Sequence, residues 1–172
     1  MSWYIVDVES DGPIPSKYSM ISFGAVKLDS NLNTTFYGTT KPISNEYVEE
    51  ALLISCPSRK EHESYDDPKI TMEKFHDWIL KTNSNGRPIF VSDNLAYDWQ
   101  FINYYFHYFI GKNPFGFSGR RIGDLYCGMV KDSFSKWKHL RKTKHTHDPV
   151  DDAKGNAEAL LAMKKMGLLI PT

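Results

Sequence analysis

The segment Trp3-Tyr4-Ile5-Val6-Asp7-Val8-Glu9 constrains this chain more than any other. Its aromatic and β-branched residues predict a strand, and Ile5, Val6 and Val8 around the two acids predict a central one. Side chains alternate along a strand, so Asp7 and Glu9 point to the same face. Carboxylates on a central strand are costly unless something positive meets them.

Two more acids and an imidazole belong with this pair. Asp98 follows Ser92-Asp93-Asn94-Leu95-Ala96-Tyr97 at the start of an expected helix, and His147 is followed five positions later by Asp152. Taken singly, Asp98 and Asp152 fit ordinary first-turn helix charges. His147 alone fits a surface histidine, as its neighbours His139 and His145 do. Together they form a set of four carboxylates, which repel one another unless cations lie among them. Hard oxygen donors suit magnesium or manganese. An imidazole adds a group able to take a proton near neutral pH. The combination reads as a two-metal phosphodiesterase site.

The remaining pattern predicts a layered α/β fold. Residues 20 to 28, with Gly24 inside, and 34 to 40 are strands that follow the first by short connections, as in an antiparallel meander. A short helix is expected at 46 to 54. Met72, Phe75, Trp78 and Ile79 give helical spacing to 71–81, with Thr71 as N-cap. Residues 88 to 92 read as a buried strand, 98 to 110 as an aromatic-rich helix, 111 to 119 as a loop and 124 to 131 as a helix. The last helix has the clearest limits: Asp148 as N-cap, Pro149 at N1, Asp151 at N3 and Gly167 as the stop. Val150, Ala153, Ala157, Leu160 and Leu161 form its apolar stripe. Asp152 thereby falls in the first turns, near the positive end of the helix. The order is β-β-β-α-β-α-(β)-α, a mixed α/β layer fold in a single domain over residues 1 to 172.

Formal net charge is +0, with 21 basic and 21 acidic residues, which argues against bulk electrostatic capture of long duplex DNA. Local grip is still available, because Lys136 to His145 is strongly basic and runs into His147. Cys56 and Cys127 make neither a disulfide framework nor a CxxC metal pair. The start has no basic-then-apolar leader and no apolar run is long enough to span a membrane. A cytoplasmic protein with reduced thiols and no membrane partner is expected.

Three motifs in order resemble the DEDDh 3′–5′ exonucleases of the ribonuclease H-like fold, among them ribonuclease T-like and oligoribonuclease-like enzymes. The first is Ile5-Val6-Asp7-Val8-Glu9-Ser10-Asp11-Gly12, followed by Ile21-Ser22-Phe23-Gly24-Ala25-Val26, which resembles the family's second strand. The second is Asp93-Asn94-Leu95-Ala96-Tyr97-Asp98. The third is His147 with Asp152-Ala153, and Ile122-Gly123-Asp124-Leu125 resembles a shorter intervening segment. The tyrosine branch of the superfamily would carry a Tyr at the position of Asp148, so the histidine branch fits.

The resemblance implies an α/β ribonuclease H-like fold whose mixed central sheet has antiparallel first three strands flanked by helices. It implies catalytic roles for Asp7, Glu9, Asp98, Asp152 and His147. Asp7 would bridge two Mg2+ ions, with Mn2+ able to substitute. Glu9 and Asp152 would complete the water-activating metal site, Asp98 would hold the second ion, and His147 would accept the proton. The implied substrate is single-stranded nucleic acid, DNA or RNA, with a free 3′ end, and the product is a nucleoside 5′-monophosphate. Ile14 and Leu53 or Ile54 are expected near the terminal base, and Lys138, Arg141, Lys142 and Lys144 along the substrate backbone. Such relatives work as homodimers, for which the aromatic stretch 99 to 117 is the expected apolar surface. A catalytically silent ribonuclease H-fold nucleic-acid-binding module is the alternative, and the presence of all five catalytic positions argues against it.

Overall fold

In the computed structural model, which describes residues 1–170, strand β1 (Trp3–Ser10) lies in the middle of a five-stranded sheet of order β3-β2-β1-β4-β5. Pro171 and Thr172, the end of the expected domain, lie outside the described residues. Strand β2 (Met20–Lys27) pairs antiparallel with β1, and β3 (Thr35–Thr39) antiparallel with β2. Strands β4 (Ile89–Ser92) and β5 (Gly119–Arg121) continue the other side in parallel. The mixed sheet with antiparallel first three strands is thus as expected.

The two faces of β1 carry different cores. Trp3 and Ile5 point toward α6 (Pro149–Lys165) and α5 (Ile122–Val130), packing with Ala153, Ala157, Leu160 and Met163. Tyr4, Val6 and Val8 point toward α3 (Pro68–Thr82) and α4 (Leu95–Ile110), packing with Met72, Phe75, Phe101 and Phe106. Each such buried side chain contributes about 1.5–3 kcal/mol through removal from water. Asp7 and Glu9 continue the row of Trp3 and Ile5, so they emerge on the face where α6 begins.

Asp7 pairs across the sheet with Gly24 of β2. A Cβ at Gly24 would run into the backbone of Pro149 and Val150. The bare strand backbone at this position lets the first turn of α6 sit directly on the sheet beside Asp7. That turn is capped as expected: the Asp148 side chain accepts from the N–H groups of Val150 and Asp151, and Pro149 occupies N1.

Several boundaries differ from expectation for identifiable reasons. Helix α3 starts at Pro68 rather than Thr71, because Asp67 caps it and Pro68 fits N1. The Thr71 hydroxyl donates instead to the Thr39 carbonyl at 2.8 Å and ties α3 to β3. Helix α4 begins at Leu95, so Asp98 lies inside the first turn instead of opening the helix. The expected loop 111–119 ends in β5, which moves the start of α5 forward to Ile122. Helix α1 spans Glu49–Ser55, and an additional short helix α2 spans Arg59–Glu63, capped by Ser58.

Much of the aromatic stretch 99 to 117 goes into the core. Phe101, Ile102, Tyr105, Phe106 and Phe115 are fully buried, leaving Tyr108 and Phe117 as its strongly exposed aromatics. The burial of Phe101, Ile102, Tyr105 and Phe106 follows from α4 facing the sheet with one whole side. Among the described residues, no helix is long and apolar enough to cross a membrane.

Candidate active site

Three elements deliver acids to one point. Strand β1 brings Asp7 and Glu9, and the first turn of α6 brings Asp152. One ligand oxygen of each lies within 4.8 Å of those of the other two. From the opposite layer, the first turn of α4 brings Asp98, whose Oδ1 accepts the Val8 N–H at 3.1 Å. The acid from α4 therefore meets β1 between its two acids. Next to α6, His147 stands at the rim, with Nδ1 3.6 Å from Glu9 Oε1 and nearly half its side chain exposed. Its backbone is left-handed, with φ 61°. A β-unbranched residue tolerates this at a cost of order 1–2 kcal/mol, and the His147 N–H donates to Asp152 Oδ2 at 3.0 Å in that conformation.

The electrostatics separate the four acids. Burial, with repulsion from Asp98, Glu9 and Asp152, pushes the Asp7 carboxyl well above its ordinary range. Burial pushes Asp98 up to about 8 despite the stabilising Val8 N–H, with Asp93 and Glu9 adding repulsion. Burial also raises Glu9, which the nearby His147 partly offsets. Asp152 is different: burial works to raise it, but Arg141 and His145 outweigh burial and hold it low. Added positive charge would favour ionisation of all four together near neutral pH. An all-oxygen set of converging carboxylates is the chemistry that hard divalent cations take, so the residues present fit Mg2+ or Mn2+.

Two side chains at the site carried no distinctive signal in the sequence. His145 was expected to be ordinary, yet its Nδ1 lies 2.8 Å from Asp152 Oδ2 and its ring 4.3 Å from that of His147. Arg141, expected along the substrate backbone, turns inward and binds Asp152 Oδ1 through Nη2 at 2.8 Å. A glycine inside α6, Gly155, was the available clue, because it opens space beside Asp152.

The other basic residues stand in different surroundings. Lys138 is 3.0 Å from Asp93 and lines a groove of about 780 Å³ with Arg121, Lys136 and Asn94. Lys142 lines a separate groove with Leu32, Lys154 and Leu161, and Lys144 is exposed. Leu53 and Ile54 are about half exposed and border a cleft of about 470 Å³ with Tyr37 and His147, while the exposed Ile14 lies on the loop after β1.

No family model matches the chain. It is 36% identical over 174 residues to a 3′–5′ DNA exonuclease, Cap18, of Escherichia coli, covering 94% of this chain and 90% of that protein. The fold is shared with the nuclease domain of 3′hExo, a DEDDh family member solved with rAMP: TM-score 0.78, 20% identity, 99% of this chain and 96% of that one. It is shared also with the cell-death related nuclease CRN-4: TM-score 0.76, 17% identity, 96% of this chain. This chain spans 64% of the CRN-4 chain and 40% of Escherichia coli exonuclease I, which was solved with a dA16 oligonucleotide and matches with TM-score 0.64, 18% identity and 96% of this chain. With its acids on β1, α4 and α6 in the order the motifs require and a relative of this identity along nearly the whole length, the chain belongs to the DEDDh family of 3′–5′ exonucleases.

Proposed function

We propose that this exonuclease removes nucleotides one at a time from the 3′ end of single-stranded DNA and releases nucleoside 5′-monophosphates. In this reading two divalent cations are held by Asp7, Glu9, Asp98 and Asp152, and His147 is the general base. The observation that carries it is the convergence of Asp7, Glu9 and Asp152 within 4.8 Å, at the foot of an exposed imidazole. DNA as substrate is supported by the name of the Escherichia coli relative.

The donor set suits Mg2+, with Mn2+ as a substitute. When bound, the cations supply charge stabilisation at the phosphoryl oxygens and favour ionisation of the attacking water. Asp7, central among the acids, would hold the cations together with Glu9 and Asp152 beside His147 and with Asp98 from α4. His147 takes the proton from the attacking water and passes it to solvent, to which its ring is open. Leu53 and Ile54, with Ile14, offer apolar faces to the terminal base. Lys138 and Lys144 neutralise backbone phosphates.

The test is digestion of matched DNA and RNA oligonucleotides, single- and double-stranded and labelled at the 5′ end, with product masses recorded. Activity in Mg2+ or Mn2+, its loss in chelator and in Asp7→Ala, and a ladder shortened from the 3′ end support the reading. Undiminished cleavage by Asp7→Ala would discard the ligand set, and preference for RNA would discard the substrate.

A further inference from the structure

Arg141 is a buried cation at a site expected to grip an anionic substrate. Only 9% of its side chain is exposed. Its guanidinium gives Nη2 to Asp152 Oδ1 at 2.8 Å and Nε to the Thr143 carbonyl at 3.3 Å. To reach Asp152 it crosses α6 over Gly155. A Cβ at Gly155 would stand 2.5 Å from Arg141 Nε and 2.6 Å from Nη2. Glycine inside a helix is destabilising relative to alanine, so the open slot has a cost, and the guanidinium is what fills it.

The partners of Asp152 divide between its two oxygens. Oδ1 takes Arg141 at 2.8 Å and the Thr146 N–H at 3.4 Å. Oδ2 takes the His147 N–H at 3.0 Å and the His145 ring at 2.8 Å. Three of these donors are fixed by backbone or burial. His145, more than half exposed, is the one able to swing away, which makes Oδ2 the oxygen open to exchange.

We propose that Arg141 is a positioning residue: seated in the slot left by Gly155, it clamps Oδ1 of Asp152 and so presents the carboxylate to a divalent cation through Oδ2. This rests on the reading of Asp152 as a metal ligand. It assigns Arg141 to the metal centre and removes it from the substrate grip. Groups one step behind a ligand typically change metal affinity by 10–100-fold when lost.

The experiment is Mn2+ titration by calorimetry on the full chain without nucleic acid, comparing Arg141→Gln, Arg141→Lys, Gly155→Ala and Asp152→Asn. Oligonucleotide kinetics at saturating Mn2+ accompany it. Gly155→Ala breaks the contact from the other side, since the flexible guanidinium gives way before the helix does. It keeps Arg141 in the chain, and the better helix offsets part of the lost ion pair, so a cooperative melt in chelator should show the chain still folded. Arg141→Gln and Gly155→Ala should each weaken Mn2+ binding about 10- to 100-fold, with Arg141→Lys closer to wild type and KM for the oligonucleotide unchanged.

Wild-type Mn2+ affinity in Arg141→Gln and Gly155→Ala, while Asp152→Asn has lost it, overturns the positioning role and leaves the ligand set standing. A raised KM with normal Mn2+ affinity in Arg141→Gln returns Arg141 to the substrate and equally overturns it. Normal Mn2+ binding by Asp152→Asn overturns the ligand assignment and this inference together. If Arg141→Gln fails to fold, Gly155→Ala alone decides between the first two results.

Discussion

The main-chain N–H of Val8 donates to Oδ1 of Asp98 at 3.1 Å, which stitches the first turn of α4 to the central strand between Asp7 and Glu9. Asp98→Asn keeps an acceptor for this donor and removes the charge. Burial raises the Asp98 carboxyl to about 8, so the folded chain holds a proton that the unfolded chain releases near pH 4. That stabilisation is complete below about pH 4 and is lost as pH rises toward 8. Thermal melts in chelator should therefore find Asp98→Asn gaining on wild type as pH goes from 5 to 8. Its nuclease activity should fall by roughly 100-fold or more. A stability gap that stays flat with pH would mean that the charge on Asp98 is not its source.

Metal binding should release protons. Asp7, Glu9 and Asp98 are all raised, and each must be ionised to serve as a ligand. Mn2+ affinity should rise from pH 6 to pH 8, and titrations in buffers of different ionisation enthalpy should report the released protons. At 100 times Kd the ion should stabilise the fold by about 2.7 kcal/mol. Affinity that is independent of pH would contradict the raised carboxyls.

Gly24→Ala tests the seat of the last helix. The added methyl meets backbone, not a movable side chain, so the first turn of α6 must shift. Overpacking of this kind costs about 1–3 kcal/mol. The displacement of Asp152 and His147 should lower kcat by roughly 100-fold, visible beside a folded circular dichroism spectrum. A variant with full kcat would show that the helix start tolerates movement.

His147→Asn separates backbone from imidazole. Asparagine accepts the left-handed conformation that His147 adopts, so the bond from the main-chain N–H of residue 147 to Asp152 survives. Mn2+ affinity should hold while kcat drops by about 10²–10⁴, the range for loss of a general base. Retention of kcat would move proton acceptance to another group.

His62 lies outside the acidic cluster and should bear on acid stability. Its ring is fully buried, Nε2 faces the carbonyls of Thr40 and Met20, and burial lowers its pKa to about 4. The unfolded chain takes up a proton near pH 6.5 that the folded chain refuses, so stability present above that pH drains away down to about pH 4. The loss reaches on the order of 3 kcal/mol. Urea melts should find the advantage of wild type over His62→Gln shrinking through this window. Parallel pH profiles for the two proteins would remove His62 as the cause.

What was legible followed the strength of local physics. Alternation placed Asp7 and Glu9 on one face, and the Asp148-Pro149 cap located Asp152 in the turn where it stands. Strand β5 was anticipated only as a strand without bounds before the last helix, because Gly119-Arg120-Arg121 joins the sheet through backbone bonds alone, with no apolar signal. Helix α2 was hidden for the same reason: among Arg59-Lys60-Glu61-His62-Glu63 only His62 is buried. The start of α3 was legible in Asp67-Pro68, the same cap-and-proline pair that marks α6, whereas the bond of the Thr71 hydroxyl to a β3 carbonyl depends on the fold. The inward turn of Arg141 was likewise invisible, since a positive charge in a basic run carries no direction; its cause, Gly155, lies in another element.

The distance along the chain between Asp7 and Asp152 has a bearing on how such a nuclease comes into being. Synthesis runs from the N-terminus, and β1 with its two acids leaves the ribosome long before α6 exists. Because α6 docks on β2 at Gly24, carries Asp152 and follows His147 by two residues, a partly made chain lacks the acid and the imidazole proposed to complete the site. On the proposed ligand set, cutting would begin only when the last helix closes on the first strands, and a chain ending before Pro149 should be inert, so the layout would withhold cutting power until folding is nearly finished.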